Sequence, residues 1–209
     1  MNSNKIKSFT ESIKLTERQR AIIVGTLLGD GHLETQNKGR TFRLKVEHSI
    51  SQKDYADWLY VELKNLILTK PQIKEQRIKG KLYKKYWFST VSIGAFRFYA
   101  QQFYQNGKKI VPKFIAKIAS PLSLAIWFMD DGSLKSQFHR ARIINTQCFS
   151  EKDLKILQDM LFKKFHITTT LRKQKEGKQI YIPSTEIGKF ISIVQPYIIP
   201  SMEYKIKVT

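Results

Sequence analysis

Two stretches of the chain are apolar at almost every position: Ala21-Ile22-Ile23-Val24 through Leu28, and Leu122 through Met129. A helix that is hydrophobic all round belongs in a protein interior, so both are predicted as buried helices. Start signals flank each run. Thr16-Glu17-Arg18-Gln19 has capping-box spacing ahead of the first, and Ser120 followed by Pro121 opens the second. Gly29 and Gly31 close the first helix. Ala21, Gly25 and Gly29, spaced by four, leave a smooth stripe along which another backbone can approach closely.

After each apolar helix the period changes to two. His32 to Gln36 and Thr41 to His48 alternate around Asn37-Lys38-Gly39, which predicts a hairpin. A helix with Tyr55, Trp58, Leu59, Leu63 and Leu66 on one face follows, and a second hairpin runs from Gln72 to Tyr86. Thr168 to Tyr181 repeats that hairpin around Gly177. Short matches recur in the same order: Ser51-Gln52-Lys53-Asp54 with Ser150-Glu151-Lys152-Asp153, Ile93-Gly94-Ala95-Phe96 with Ile187-Gly188-Lys189-Phe190, and Ile110-Val111-Pro112 with Ile198-Ile199-Pro200. Ordered matches of this kind are the mark of a duplication. The expected fold is α+β, with two pseudo-symmetric αββαββα halves, residues 1–112 and 113–209, packed through their apolar helices.

Composition supports a globular chain: 42% of the 209 residues are hydrophobic and 26% charged. No apolar run approaches the roughly 20 residues that span a bilayer, so no membrane partner is expected. Glu11 and Glu17 near the N-terminus argue against a transit peptide. The lone Cys148 excludes an internal disulfide and a thiolate metal cluster. The formal net charge of +20 lies throughout the body of the chain and points to nucleic acid as the partner.

Each apolar helix ends in an acid and a glycine, Leu27-Leu28-Gly29-Asp30-Gly31 and Phe128-Met129-Asp130-Asp131-Gly132. Paired helices would place Asp30 and Asp131 at adjacent C-terminal ends, where helix dipoles and mutual repulsion disfavour carboxylates. A divalent cation resolves that conflict. Mg²⁺ accepts one or two carboxylates and completes its shell with water and phosphate, so the expectation is a metal-dependent nuclease. Cations expected along DNA are Lys74, Arg77, Lys79, Lys81, Lys84 and Lys85 on the first basic hairpin, Arg172, Lys173, Lys175 and Lys178 on the second, and Lys45, Arg140 and Arg142 on neighbouring strands. His32, His48, His139 and His166 form no convincing cluster, although His32 and His48 lie near the first acidic turn.

Val24-Gly25-Thr26-Leu27-Leu28-Gly29-Asp30-Gly31 and Leu124-Ala125-Ile126-Trp127-Phe128-Met129-Asp130-Asp131-Gly132 resemble the two signature helices of single-chain LAGLIDADG homing endonucleases. The resemblance spans essentially the whole chain. It implies a saddle-shaped sheet surface over a long, nearly asymmetric double-stranded DNA site, and hydrolysis of both strands with Mg²⁺, or Mn²⁺ in its place, leaving 3′ overhangs. Carried residue by residue, it makes Asp30 and Asp131 metal ligands and gives Gly29 and Asp130 a backbone-carbonyl role, with the Asp130 side chain structural. Lys109 and Lys205 become the basic residues of the site, and Glu47 with Gln147 the polar pair flanking the metals at matched strand ends. The chain would be a monomer without an obligate protein partner, encoded in a mitochondrion or chloroplast and promoting homing of its own intron. Two other readings share this fold: a maturase that binds its host group I intron RNA, and a non-cleaving DNA-binding regulator.

Overall fold

The structure is a computed structural model that describes residues 9–10, 12–78, 80–136 and 139–207. Contacts divide the chain into two compact units, Met1–Arg20 with Asp30–Gln101, and Ala21–Gly29 with Gln102–Thr209. Helix α1 (Glu17–Leu28) begins in one and ends in the other. Both halves of the predicted capping box form: the Gln19 amide donates to Thr16 Oγ1 at 3.1 Å, and the Thr16 amide to Gln19 Oε1 at 3.2 Å. Among the described residues, no helix is long and apolar enough to cross a membrane.

In the first unit, strands β1 (His32–Glu34), β2 (Arg43–Ser49), β3 (Gln72–Ile78) and β4 (Lys81–Ser89) form an antiparallel sheet in the order β1-β2-β4-β3. Lys38 and Gly39 take positive φ between β1 and β2, as does Gly80 between β3 and β4, so the predicted turns form where predicted. Leu44, Val46, His48, Tyr86 and Phe88 are buried on one face, against which α2 (Lys53–Glu62) packs with Tyr55 and Leu59. The first turn of α1 is tied to α2 by Arg18, whose Nε and Nη2 donate to Glu62 at 2.7 and 2.6 Å. Helix α3 (Ala95–Phe103) completes the unit with its residues up to Gln101, burying Phe96 and Tyr99.

The second unit repeats the plan. A two-residue hairpin, β5 (Tyr104–Gln105) and β6 (Lys108–Lys109), leads to the short helix α4 (Ile115–Ile118) and then α5 (Pro121–Asp131). Ser120 caps α5 by accepting from the Ser123 amide at 3.2 Å, with Pro121 in the first turn. Strands β7 (Gly132–Ser136), β8 (His139–Ile144), β9 (Thr170–Gln174) and β10 (Gly177–Ile182) form a sheet in the order β7-β8-β10-β9, the same order as in the first unit. Helix α6 (Glu151–Phe165) is capped by Ser150, and α7 (Ile187–Val194) packs on α5 through an edge-to-face Phe190–Phe128 contact with ring centroids 4.9 Å apart.

The small-residue stripe on α1 does what its spacing predicts. A Cβ at Gly25 would stand 2.7 Å from both Ile126 Cβ and the Ser123 carbonyl of α5, and one at Gly29 would meet the Asp130 side chain. The glycines thus let the C-terminal part of α1 and the length of α5 touch backbone to side chain. Gly25→Ala gains helix propensity but overpacks this contact, against a backbone oxygen that cannot yield. We expect a net loss of about 1–3 kcal/mol, read as a lowered midpoint in chemical unfolding; an unchanged midpoint would mean the helices are not in close contact.

Candidate active site

The second unit brings together the ends of α1 and α5. Asp130 is 9% exposed, with its carboxylate against Gly29. Asp131 is half-buried, and its carbonyl accepts from the Asn145 amide at 3.0 Å and from Asn145 Nδ2 at 2.9 Å. Lys109 Nζ donates to the Gly29 carbonyl at 2.7 Å, and Lys205 Nζ donates to the carbonyls of Met129 and, at 3.2 Å, Asp130. Each apolar helix therefore carries a lysine ammonium on its terminal carbonyls, where the helix dipole is negative. The two oxygens assigned to metal by resemblance, those of Gly29 and Asp130, already hold a cation. A metal at either oxygen would have to use its second lone pair or move the lysine.

Asp30, the residue after Gly29, belongs to the first unit, where its side chain is 45% exposed. His48 Nδ1 lies 3.5 Å from its Oδ2, and the His48 ring packs on Tyr55 with centroids 5.0 Å apart. His48 is buried, the inward neighbour of Glu47 on β2. His32 points to the opposite face, 3.2 Å from Glu34 Oε1.

Strand pairing corrects the equivalence of Glu47 with Gln147. His32 pairs with Lys45 and Val46 with Phe88 in one sheet, while Gly132 pairs with Ile144 and Ile144 with Ile180 in the other. Val46 therefore matches Ile144, and Glu47 matches Asn145. Gln147 lies two residues further on, in the turn after β8, with its backbone against Gly177. Asn145 is the polar residue that counting along the sequence missed. Its Oδ1 accepts from Gln179 Nε2 at 2.6 Å, which fixes the amide so that Nδ2 faces Asp131. Glu47 accepts from Lys85 at 2.7 Å and lies 3.6 Å from Lys45.

Arg142 requires a second correction. It was expected along DNA, but it is fully buried: Nε donates to the Lys205 carbonyl at 3.0 Å, Nη2 to the Ile206 carbonyl at 2.5 Å, and Nη1 to the Arg140 carbonyl. Burial, and then the charge of Arg140, lower its pKa. Its work is to hold the segment Pro200–Lys205 so that Lys205 reaches α5.

Alternation sorts the remaining cations. Lys45, Lys74, Lys81 and Lys85 share the open face of the first sheet, opposite Leu44 and Phe88, and Arg172 has the matching place in the second. Arg77 pairs opposite Leu82 and Lys84 opposite Glu75 on the other face, and Lys173 and Lys178 face the same way in the second sheet. Lys84 lies 3.1 Å from Glu75 and Lys178 2.6 Å from Glu151; these four stand on the strand face opposite the open-face lysines, with Arg77, Lys84 and Lys173 exposed and Lys178 half-buried. Arg140 is exposed at the start of β8, Lys175 is exposed in the β9–β10 turn, and Lys79 lies outside the described residues. Missed on the open faces were Arg43, Trp87 beneath Lys45, and Lys135 over Tyr181.

This duplicated order of helices and sheets, with an acid closing each apolar helix, defines a class. Residues 20–190 match the model of the LAGLIDADG DNA endonuclease family, and the chain belongs to that family. It is 31% identical to DNA endonuclease I-ChuI of Chlamydomonas applanata over 93% of this chain and 96% of that protein. It is 34% identical to the cytochrome b mRNA maturase bI2 of Saccharomyces cerevisiae, over 89% of this chain but 46% of the maturase's own length. The structure of the homing endonuclease I-WcaI bound to its DNA recognition sequence superposes with a TM-score of 0.93, at 27% identity, over 100% of this chain and 94% of that one.

Two expectations follow from these contacts. Arg142→Met leaves three carbonyls without their donor and should cost about 3 kcal/mol, with the protease susceptibility of the C-terminal segment raised; unchanged unfolding would contradict the anchoring role. Burial alone would raise the Glu47 carboxyl, but the Lys85 hydrogen bond and the charges of Lys85 and Lys45 outweigh it and hold its pKa below the ordinary value. A depressed folded pKa adds stability above the unfolded pKa, and that stability is lost as pH falls through the folded value. The stability gap between wild type and Glu47→Gln should therefore be present at neutral pH and close as pH falls below the ordinary carboxylate range; a gap that is flat with pH would rule out the ion pairing.

Proposed function

We propose that this protein is a divalent-metal-dependent, sequence-specific double-strand DNA endonuclease that promotes homing of an organellar intron, with Asp30 and Asp131 as its metal-holding residues. The observation that carries the reading is the close contact of Gly29 with Asp130, since Asp30 and Asp131 are the next residues along each chain segment. Their donors are hard carboxylate oxygens with no thiolate and few nitrogens, which suits Mg²⁺ or Mn²⁺. When bound, the metal would lower the pKa of a water so that it can lose its proton and act as the nucleophile, and would neutralise charge on the phosphate.

The chain's own residues do the rest. Asp131 is oriented by the bond from Asn145 to its carbonyl, and Asp30 lies beside His48. Lys109 and Lys205, held at the helix ends, present positive charge where negative charge would build up on the oxygens of a pentavalent phosphorus. Lys45, Lys74, Lys81, Lys85 and Arg172 form the phosphate-contacting and base-contacting set on the open sheet faces. Replacing Gln147 should matter less for cleavage than replacing Asn145, the residue that strand pairing matches with Glu47.

Binding of intron RNA is a second reading, favoured by the likeness to the yeast maturase. The test is cleavage of plasmid DNA bearing an intronless allele, with Mg²⁺ present. Asp30→Asn and Asp131→Asn should each lower cutting by at least about 10³-fold while leaving the affinity for the duplex within about threefold. Retained cleavage in either variant would reject the assignment, and stimulated splicing without cleavage would favour the RNA reading.

A further inference from the structure

The open face of the first sheet contains an acid where DNA phosphates would approach. Glu34 on β1 pairs opposite Arg43 on β2, with His32 opposite Lys45 alongside. Its Oε2 accepts from Arg43 Nε at 3.1 Å and Nη2 at 2.9 Å, and its Oε1 lies 3.2 Å from His32 Nε2 and 3.4 Å from Lys45 Nζ. Burial would raise this carboxyl, but the Arg43 hydrogen bonds, the Lys45 charge and the His32 contact prevail, so it stays ionised at neutral pH. Among the described residues, the strands of the second sheet have no carboxylate on the matching face.

A negative charge on this surface costs affinity for a polyanion, because each neutralised phosphate contributes to binding and an acid opposes that. It therefore needs another use. Glu34 grips the Nε–Nη2 edge of the Arg43 guanidinium, so it does not occupy the end formed by Nη1 and the outer N–H of Nη2. That end presents two parallel N–H groups at the spacing of guanine O6 and N7, the pairing through which arginine reads a G·C pair in the major groove. An arginine held by a carboxylate loses less side-chain freedom on contact and cannot swing to a nearby phosphate.

We propose that Arg43 is a specificity-determining residue that reads one guanine of the target, and that Glu34 is its positioning residue. The inference rests on the DNA-cleaving reading for its ligand, but it needs neither metal nor cleavage. Duplexes with a randomised sequence are selected by the full-length protein in EDTA and sequenced, for wild type, Glu34→Gln, Arg43→Lys, Arg43→Ala and the Glu34→Gln/Arg43→Ala pair. Wild type should prefer guanine at one position about tenfold or more. Each single variant should lose that preference and no other, and the double variant should match Arg43→Ala. Glu34→Gln should bind at low salt at least as tightly as wild type, and Arg43→Lys should keep its overall affinity. Guanine preference retained in Glu34→Gln, or preference lost evenly across the site with a lowered melting temperature, would overturn the assignment. Absence of sequence preference in the wild type would overturn both this inference and the endonuclease reading.

Discussion

The closeness of two helices sets the terms for everything near the candidate site. Gly25 and Gly29 bring the end of α1 onto Ser123, Ile126 and Asp130 of α5, with no room for even a methyl group between them. Helices this close place their C-terminal carbonyls, each with partial negative charge, in one neighbourhood. The chain then adds acids where more negative charge is least welcome. Lys109 and Lys205 offset part of that charge by bonding to the terminal carbonyls, and a bound cation would offset the rest. Packing and chemistry are thus one constraint: glycines allow the approach, the approach concentrates charge, and the charge selects cations.

The two lysines arrive by different routes. Lys109 ends the small β5–β6 hairpin, which turns through positive φ at Asn106 and Gly107. Lys205 ends a short 3₁₀ segment pinned by the buried Arg142. Two unlike scaffolds that deliver the same contact to matched helix ends indicate that the contact itself is what the fold maintains. The sheets have diverged as well. The first has an ion-pair ladder of Arg43, Glu34, Lys45, Glu47 and Lys85 on its open face, whereas the second presents Asn145, Gln179 and Tyr181 there. A target without symmetry would need two such different surfaces.

Much of this was legible in the sequence. Unbroken apolar runs gave the two buried helices, Thr16 with Gln19 and Ser120 with Pro121 gave their starts, and the four-residue glycine spacing gave their contact. Hairpins with Gly39, Gly80 and Gly177 were visible from alternation and turn residues. What escaped depends on pairing between strands. Glu47 stands 17 residues after Asp30 but Asn145 only 14 after Asp131, because the second β-hairpin is shorter, so residue counting chose Gln147. Arg142 read as a surface cation because its acceptors are backbone carbonyls more than sixty residues away, which no local pattern reveals. Arg77, Lys84, Lys173 and Lys178 were grouped with the open-face cations because hairpin residues were counted without regard to which face each occupies. Strands of two residues, such as β5 and β6, are too short for alternation to show.

The central claim is that Asp30 and Asp131, the acids ending the two apolar helices, hold divalent metal. Anomalous diffraction from crystals of the protein with duplex DNA and Mn²⁺ tests it most directly. The account predicts manganese peaks about 2.1 Å from carboxylate oxygens of Asp30 and Asp131. Peaks confined to other side chains, with both carboxylates bonded only to protein or water, would contradict it.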